Sequence, residues 1–194
     1  MKVALGFKPH SGWAALLILG KQDDDYVALS RCRVELVTEA WAKQPYHAAE
    51  ELEPKEALAV VKRGVEAAHR MALKELRAAL RRQLNQGHQV RGCGVVVGNP
   101  MPKWSVAEIL AVHFRMHHAE GVLFREALIK AAEKCSLPVV AFNEKVLLND
   151  AATALKTSTN KLQKSLEAMG KIAGPPWGKD QKDAAVVAMV ALES

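Results

Sequence analysis

Between residues 54 and 84 the apolar residues recur every 3.6 positions, and no other stretch constrains the architecture as strongly. Leu58, Val61, Val65, Ala68, Ala72, Leu76, Ala79 and Leu80 share one face, which predicts a long amphipathic helix packed against a partner. Pro54 stands where a first helical turn tolerates proline, and Gly87 is placed as a stop. Before this helix the pattern is different. Residues 3–7, 13–19 and 26–37 are short apolar runs separated by turn-forming clusters, and the third alternates at Val27, Leu29, Cys32, Val34 and Leu36. They read as three sequential strands of an antiparallel meander.

After the helix, residues 90–97 form a β-branched, nearly all-apolar run ending at Gly98-Asn99-Pro100, as expected of a strand buried on both faces. A helix is predicted over 105–135, a strand over 137–142, helices over 158–169 and 179–192, and a Gly/Pro loop over 170–178. The order β-β-β-α-β-α-β-α-α implies an α/β fold: one mixed sheet with helices on both faces. A single domain spanning 1–194 is expected, with 38–54 as its least ordered segment.

At 194 residues such a domain buries about two-thirds of its unfolded surface and needs no disulfide or metal for stability. Aromatic residues make up only 5%, so the core should be aliphatic. Cys32, Cys93 and Cys135 are odd in number and widely spaced, which argues against a disulfide framework or a cysteine zinc site and for a reducing compartment. The start lacks the apolar run of a signal peptide, and no stretch has the length of a membrane span, so a cytoplasmic protein is expected. The formal charge of +6 is compatible with an anionic partner without requiring one.

Three strings, in order, resemble one family. Ala4-Leu5-Gly6-Phe7-Lys8-Pro9-His10-Ser11-Gly12-Trp13 resembles the opening G-[IL]-D-P-G-S strand-turn of the RuvC-type Holliday-junction resolvases, members of the ribonuclease-H-like superfamily. His118-Ala119-Glu120-Gly121-Val122, with Leu137-Pro138-Val139 downstream, resembles that family's A-x-G-V helix and L-P-V strand. Asp180-Gln181-Lys182-Asp183-Ala184-Ala185 resembles its closing D-A-A-D helix. The resemblance implies a ribonuclease-H-like fold and, for the family, a homodimeric metal-dependent endonuclease acting on branched DNA.

The chemistry of that family is where the chain departs from it. Two Mg²⁺ ions about 3.5–4 Å apart need carboxylates to bridge and flank them. Magnesium takes hard oxygen ligands, so a cationic or absent side chain is no substitute. Lys8 stands where the first strand should carry Asp, and Gly98 where the fourth should end in Glu. Only Asp180 and Asp183 keep the pattern. The expectation is that a Lys8–Asp183 ion pair replaces the metal centre. The plainer readings are that Lys8 is a surface residue of the first turn, and that both aspartates complement a helix dipole. Glu35, Glu108 and Glu120 occupy no family position and are expected on solvated faces.

Other constellations are less specific. His113 and His117 are spaced i, i+4 beside His118, but no third ligand is evident and H-E-x-x-H is absent, so no metal site is assigned. A surface or interface cluster is the preferred reading. Arg63, Arg70, Lys74, Arg77 and Arg81 form one stripe on the long helix, suited to phosphate contacts or simply solvated. Trp177, in Gly174-Pro175-Pro176-Trp177-Gly178, either anchors a partner or packs its loop.

The functional expectation is a catalytically degenerate domain without cofactor that binds a macromolecular partner, branched or duplex nucleic acid, as a homodimer and without cleavage. One alternative is a divergent nuclease using Mg²⁺ or Mn²⁺ at Asp180, Asp183 and a third carboxylate. The other is a protein-interaction domain with no nucleic acid.

Overall fold

The computed structural model describes Met1–Ser194 and starts with a strand whose alternation divides the core into two layers. In β1 (Lys2–His10), Val3, Leu5 and Phe7 point to one face of the sheet and Ala4, Gly6 and Lys8 to the other. All six are buried, so β1 is central and covered on both sides. β2 (Trp13–Gln22) and β3 (Asp25–Glu35) complete the antiparallel meander. β4 (Gln89–Val97) then pairs parallel to β1, and β5 (Val139–Asn143) parallel to β4. The order is β3-β2-β1-β4-β5, a mixed sheet.

One face carries α2 (Pro54–Asn85) and α4 (His113–Lys134). Ala68, Ala72, Leu76 and Ala79 of α2, with Leu123, Phe124, Ala127 and Leu128 of α4, cover Val3, Leu5, Phe7, Leu16, Ile18, Cys93 and Val95. Burying each Leu or Phe here contributes about 1.5–3 kcal/mol. The core is aliphatic, with Phe7 and Phe124 its large aromatic members.

The opposite face carries α5 (Leu147–Ala154), α6 (Thr159–Ala173) and α7 (Lys179–Glu193). Helix α7 lies directly on the central strands because those strands offer it glycine. A Cβ on Gly6 would strike the Ala184 carbonyl, and one on Gly94 would strike the Val187 backbone. Only a strand surface without side chains at these points admits a helix so close. The first turn of α7 is thereby set above the carboxyl-terminal edge of β1, β4 and β5.

Four local expectations are corrected. Leu58 is exposed and Ala57 takes its core position, because the buried stripe runs through Ala57, Val61, Gly64 and Ala68 and the neighbouring Leu58 falls beside it. The helix expected over 105–135 is two, α3 (Val106–Leu110) and α4, since Val112 is extended. Segment 38–54 is ordered rather than loose: it holds α1 (Ala40–Lys43) and a 3₁₀ turn (His47–Ala49), with Pro45 packed onto Gly64 of α2. Helix α5 was not expected, its eight residues being too few to display a period. No helix is long and apolar enough to cross a membrane.

Candidate functional site

Parallel strands β1, β4 and β5 end on one edge of the sheet, where open α/β folds gather functional side chains. Lys8 comes from β1, Gly98 follows β4, Glu144 follows β5, and Lys179, Asp180 and Asp183 come from the first turns of α7. Because Lys8 shares a face with Ala4 and Gly6, its side chain runs under α7. Lys8 is only 5% exposed, and its ammonium forms an ion pair with Glu144 and lies 3.4 Å from Asp183 Oδ2. An ammonium so buried costs several kcal/mol unless carboxylates face it, and here two do.

Lys179 closes the same cluster from outside. Its Nζ donates to Glu144 Oε1 and Asp183 Oδ2, both at 2.6 Å. Burial disfavours the Lys179 ammonium, but its bonds to Asp183 and Glu144 outweigh that and raise its pKa. Lys179 and then Lys8 hold the Glu144 carboxyl down at about 2. Asp180 is turned the other way, with Oδ2 3.0 Å from His10 Nε2, and His10 stacks on Trp13 with ring centroids 4.2 Å apart.

Gly98 has no side chain, and its place is filled from α4. A Cβ there would meet the Arg125 guanidinium, which presses into the gap. Arg125 is half-buried and takes part in no ion pair. Burial draws its pKa down while the Glu144 charge draws it up, and a guanidinium stays charged throughout. Arg125, Lys145, Lys179, His117, His118 and Asn99 line an open cleft of about 700 Å³. Its fixed charges are three cations against the single carboxylate of Glu144.

This donor set does not fit a pair of Mg²⁺ ions. Lys8 and Gly98 offer no side-chain oxygen, and the oxygens of Glu144 and Asp183 that face the cluster are taken by ammonium groups.

The sequence-predicted residues divide. Lys8, Asp183, Asp180 and Gly98 come together at one edge. Arg63, Arg70, Lys74, Arg77 and Arg81 are carried on α2, and none lines the cleft. Arg63 lies over the Trp41 ring at 4.7 Å, and Arg70 is 3.9 Å from Glu66. Glu35 pairs with Arg33 and Glu108 caps α3, both exposed as expected. Glu120 is the correction. It is 3% exposed and accepts hydrogen bonds from the His47 backbone N–H at 3.1 Å and from the His47 ring, because 38–54 folds over it. Trp177 packs its loop, donating to the Leu166 carbonyl at 3.0 Å.

Glu144, Arg125 and Lys179 were missed. The i, i+4 spacing of Lys179 and Asp183 was legible, and Glu144 directly follows a strand of the parallel set. Nothing in the sequence marks Arg125, whose role follows from α4 lying beside β4.

No family model and no curated protein matches the chain. Solved structures do. The Thermus thermophilus RuvC structure aligns at a TM-score of 0.51 and 15% identity, over 97% of this chain and 92% of that one. The T. thermophilus RuvC in complex with Holliday junction substrate aligns at 0.51 and 14%, over 98% and 92%. The fold is RuvC-like. At such identity the likeness speaks for the ribonuclease-H-like architecture alone, a mixed sheet with helices on both faces.

Proposed function

We propose that this RuvC-like chain binds structured nucleic acid, branched DNA first among its forms, without cutting it. The observation that carries the reading is Arg125. A half-buried guanidinium without a carboxylate partner, at the floor of an open cleft richer in cations than anions, suits a phosphodiester oxygen. Lys8 and Lys179 together do within the protein what a metal does elsewhere: they neutralise Glu144 and Asp183. The fold's neighbour bound to a Holliday junction supports a branched partner. The α2 stripe of Arg63, Arg70, Lys74, Arg77 and Arg81 is assigned a secondary role, attracting phosphate at a distance.

The same reading keeps a homodimer and a cytoplasmic setting, the latter supported by three cysteines that form no disulfide. The competing nuclease reading has one observation in its favour, since Glu144 is the third acid near Asp183 that it requires. The ammonium groups on those oxygens weigh against it. Titration of labelled four-way junction, with a parallel Mg²⁺ and Mn²⁺ cleavage assay, tests the proposal. Binding without product supports it; cleavage abolished by Glu144→Gln contradicts it.

A further inference from the structure

We propose that His47, His113 and His117 form a binding site for a divalent transition-metal ion of the zinc class. One ring nitrogen from each lies within 4.8 Å of the other two. Nε2 of His113 and Nε2 of His117 are 3.1 Å apart on successive turns of α4. Two imidazoles on one tetrahedral Zn²⁺, at about 2.0–2.1 Å each, place their nitrogens roughly 3.3 Å apart, so this pair needs almost no movement. The third ligand arrives from the folded segment before α2. The His47 ring centroid is 4.5 Å from that of His117 and 5.0 Å from that of His113.

The surroundings fix which nitrogen His47 offers. Its Nδ1 is 2.8 Å from Glu120 Oε2, so Nδ1 carries the proton and donates. Nε2 is buried and has no hydrogen-bond partner. Protonated or not, that atom is unsatisfied unless an ion meets it. Glu120 raises the same demand from behind, being a carboxylate 3% exposed that needs positive charge nearby. A metal on Nε2 polarises the imidazole and supplies that charge through the ring. Carboxylate–histidine–metal relays are the usual way such ligands are oriented. His113 repeats the arrangement more openly, with Nδ1 3.4 Å from Glu50 Oε1. Three imidazoles leave a fourth position for water or an anionic oxygen, and His117 also borders the cleft of Arg125. The site's existence does not depend on what that cleft binds.

The test uses full-length, tag-free protein stripped with chelator, titrated with Zn²⁺ in a calorimeter and with Co²⁺ by visible absorption. One saturable equivalent of Zn²⁺ per chain is expected, with Co²⁺ ligand-field bands of a low-coordinate nitrogen site. His113→Ala and His117→Ala, both exposed positions, should abolish both signals, and Glu120→Gln should weaken affinity by about 10- to 100-fold. His118→Ala and Glu144→Gln should retain them. Absence of a saturable equivalent overturns the site. So does a folded His47→Ala variant that binds as the native chain does, since α4 alone would then suffice.

Discussion

The ammonium of Lys8 stands 3.4 Å from Asp183 Oδ2, beneath the first turn of α7 and hidden from solvent. The geometry needs β1 and α7 in contact, and Gly6 and Gly94 allow it. The cluster is therefore bound up with the core as much as with any ligand, and the consequences can be measured.

Removing the ammonium should cost stability. Breaking a buried ion pair typically costs 3–5 kcal/mol, but Lys179 still faces Asp183 and Glu144, so Lys8→Met should lose about 2 kcal/mol. Urea denaturation reads the difference. Lys8→Asp, which adds a carboxylate between two others, should lose more and regain part of it in millimolar Mg²⁺ or Mn²⁺, whereas the native chain should not respond. Equal metal response in both proteins would contradict the role given to Lys8.

Glu144 makes stability depend on acid. Its carboxyl is held at about 2 in the folded chain against an ordinary 4.5, so between these values the unfolded chain binds more protons. Stability is thus full above about pH 5 and falls as pH drops towards 2. Thermal melts across that window should show a shallower slope for Glu144→Gln. An unchanged slope would mean the carboxylate is not held as described.

The seating of α7 predicts a steric effect. Gly94→Ala puts a methyl group into the Val187 backbone, and overpacking of this kind costs about 1–3 kcal/mol. Its melting temperature should fall by roughly 3–10 °C for a chain of this size. Gly87→Ala serves as the contrast. No atom lies near its Cβ, so any cost there comes from its φ of +73° alone.

Arg125 and the α2 stripe should separate in binding experiments. Arg125→Ala should weaken junction binding about 10-fold and reduce the salt slope by about one, with little change in fold stability. Arg77→Gln with Arg81→Gln, remote from the cleft, should weaken junction and duplex alike and by less. Equal effects on junction affinity would move the interface to α2.

The long helix was legible because one-sided burial imposes a period on its residues, and the meander and fourth strand because their short apolar runs are bounded by turn-forming residues. The pairing of Lys8 with Asp183 was expected only through the family resemblance, which sets both residues at one site; the two-residue alternation of β1 then accounts for Lys8 lying on the face of Gly6. Arg125, Glu120 and His47 were not. Their roles arise where α4 meets β4 and where segment 38–54 folds back, contacts between parts distant in sequence that no local pattern encodes. Short elements such as α5 escape for a simpler reason, as one or two turns show no periodicity.

Fluorescence anisotropy of a labelled four-way junction, titrated with the native protein over a salt series, tests the central claim most directly. The account predicts sub-micromolar binding at low salt, tighter than to duplex of equal length, with affinity falling steeply as salt rises and the DNA left intact in Mg²⁺. No binding at low salt would contradict it, and would leave the RuvC-like fold serving a partner other than nucleic acid.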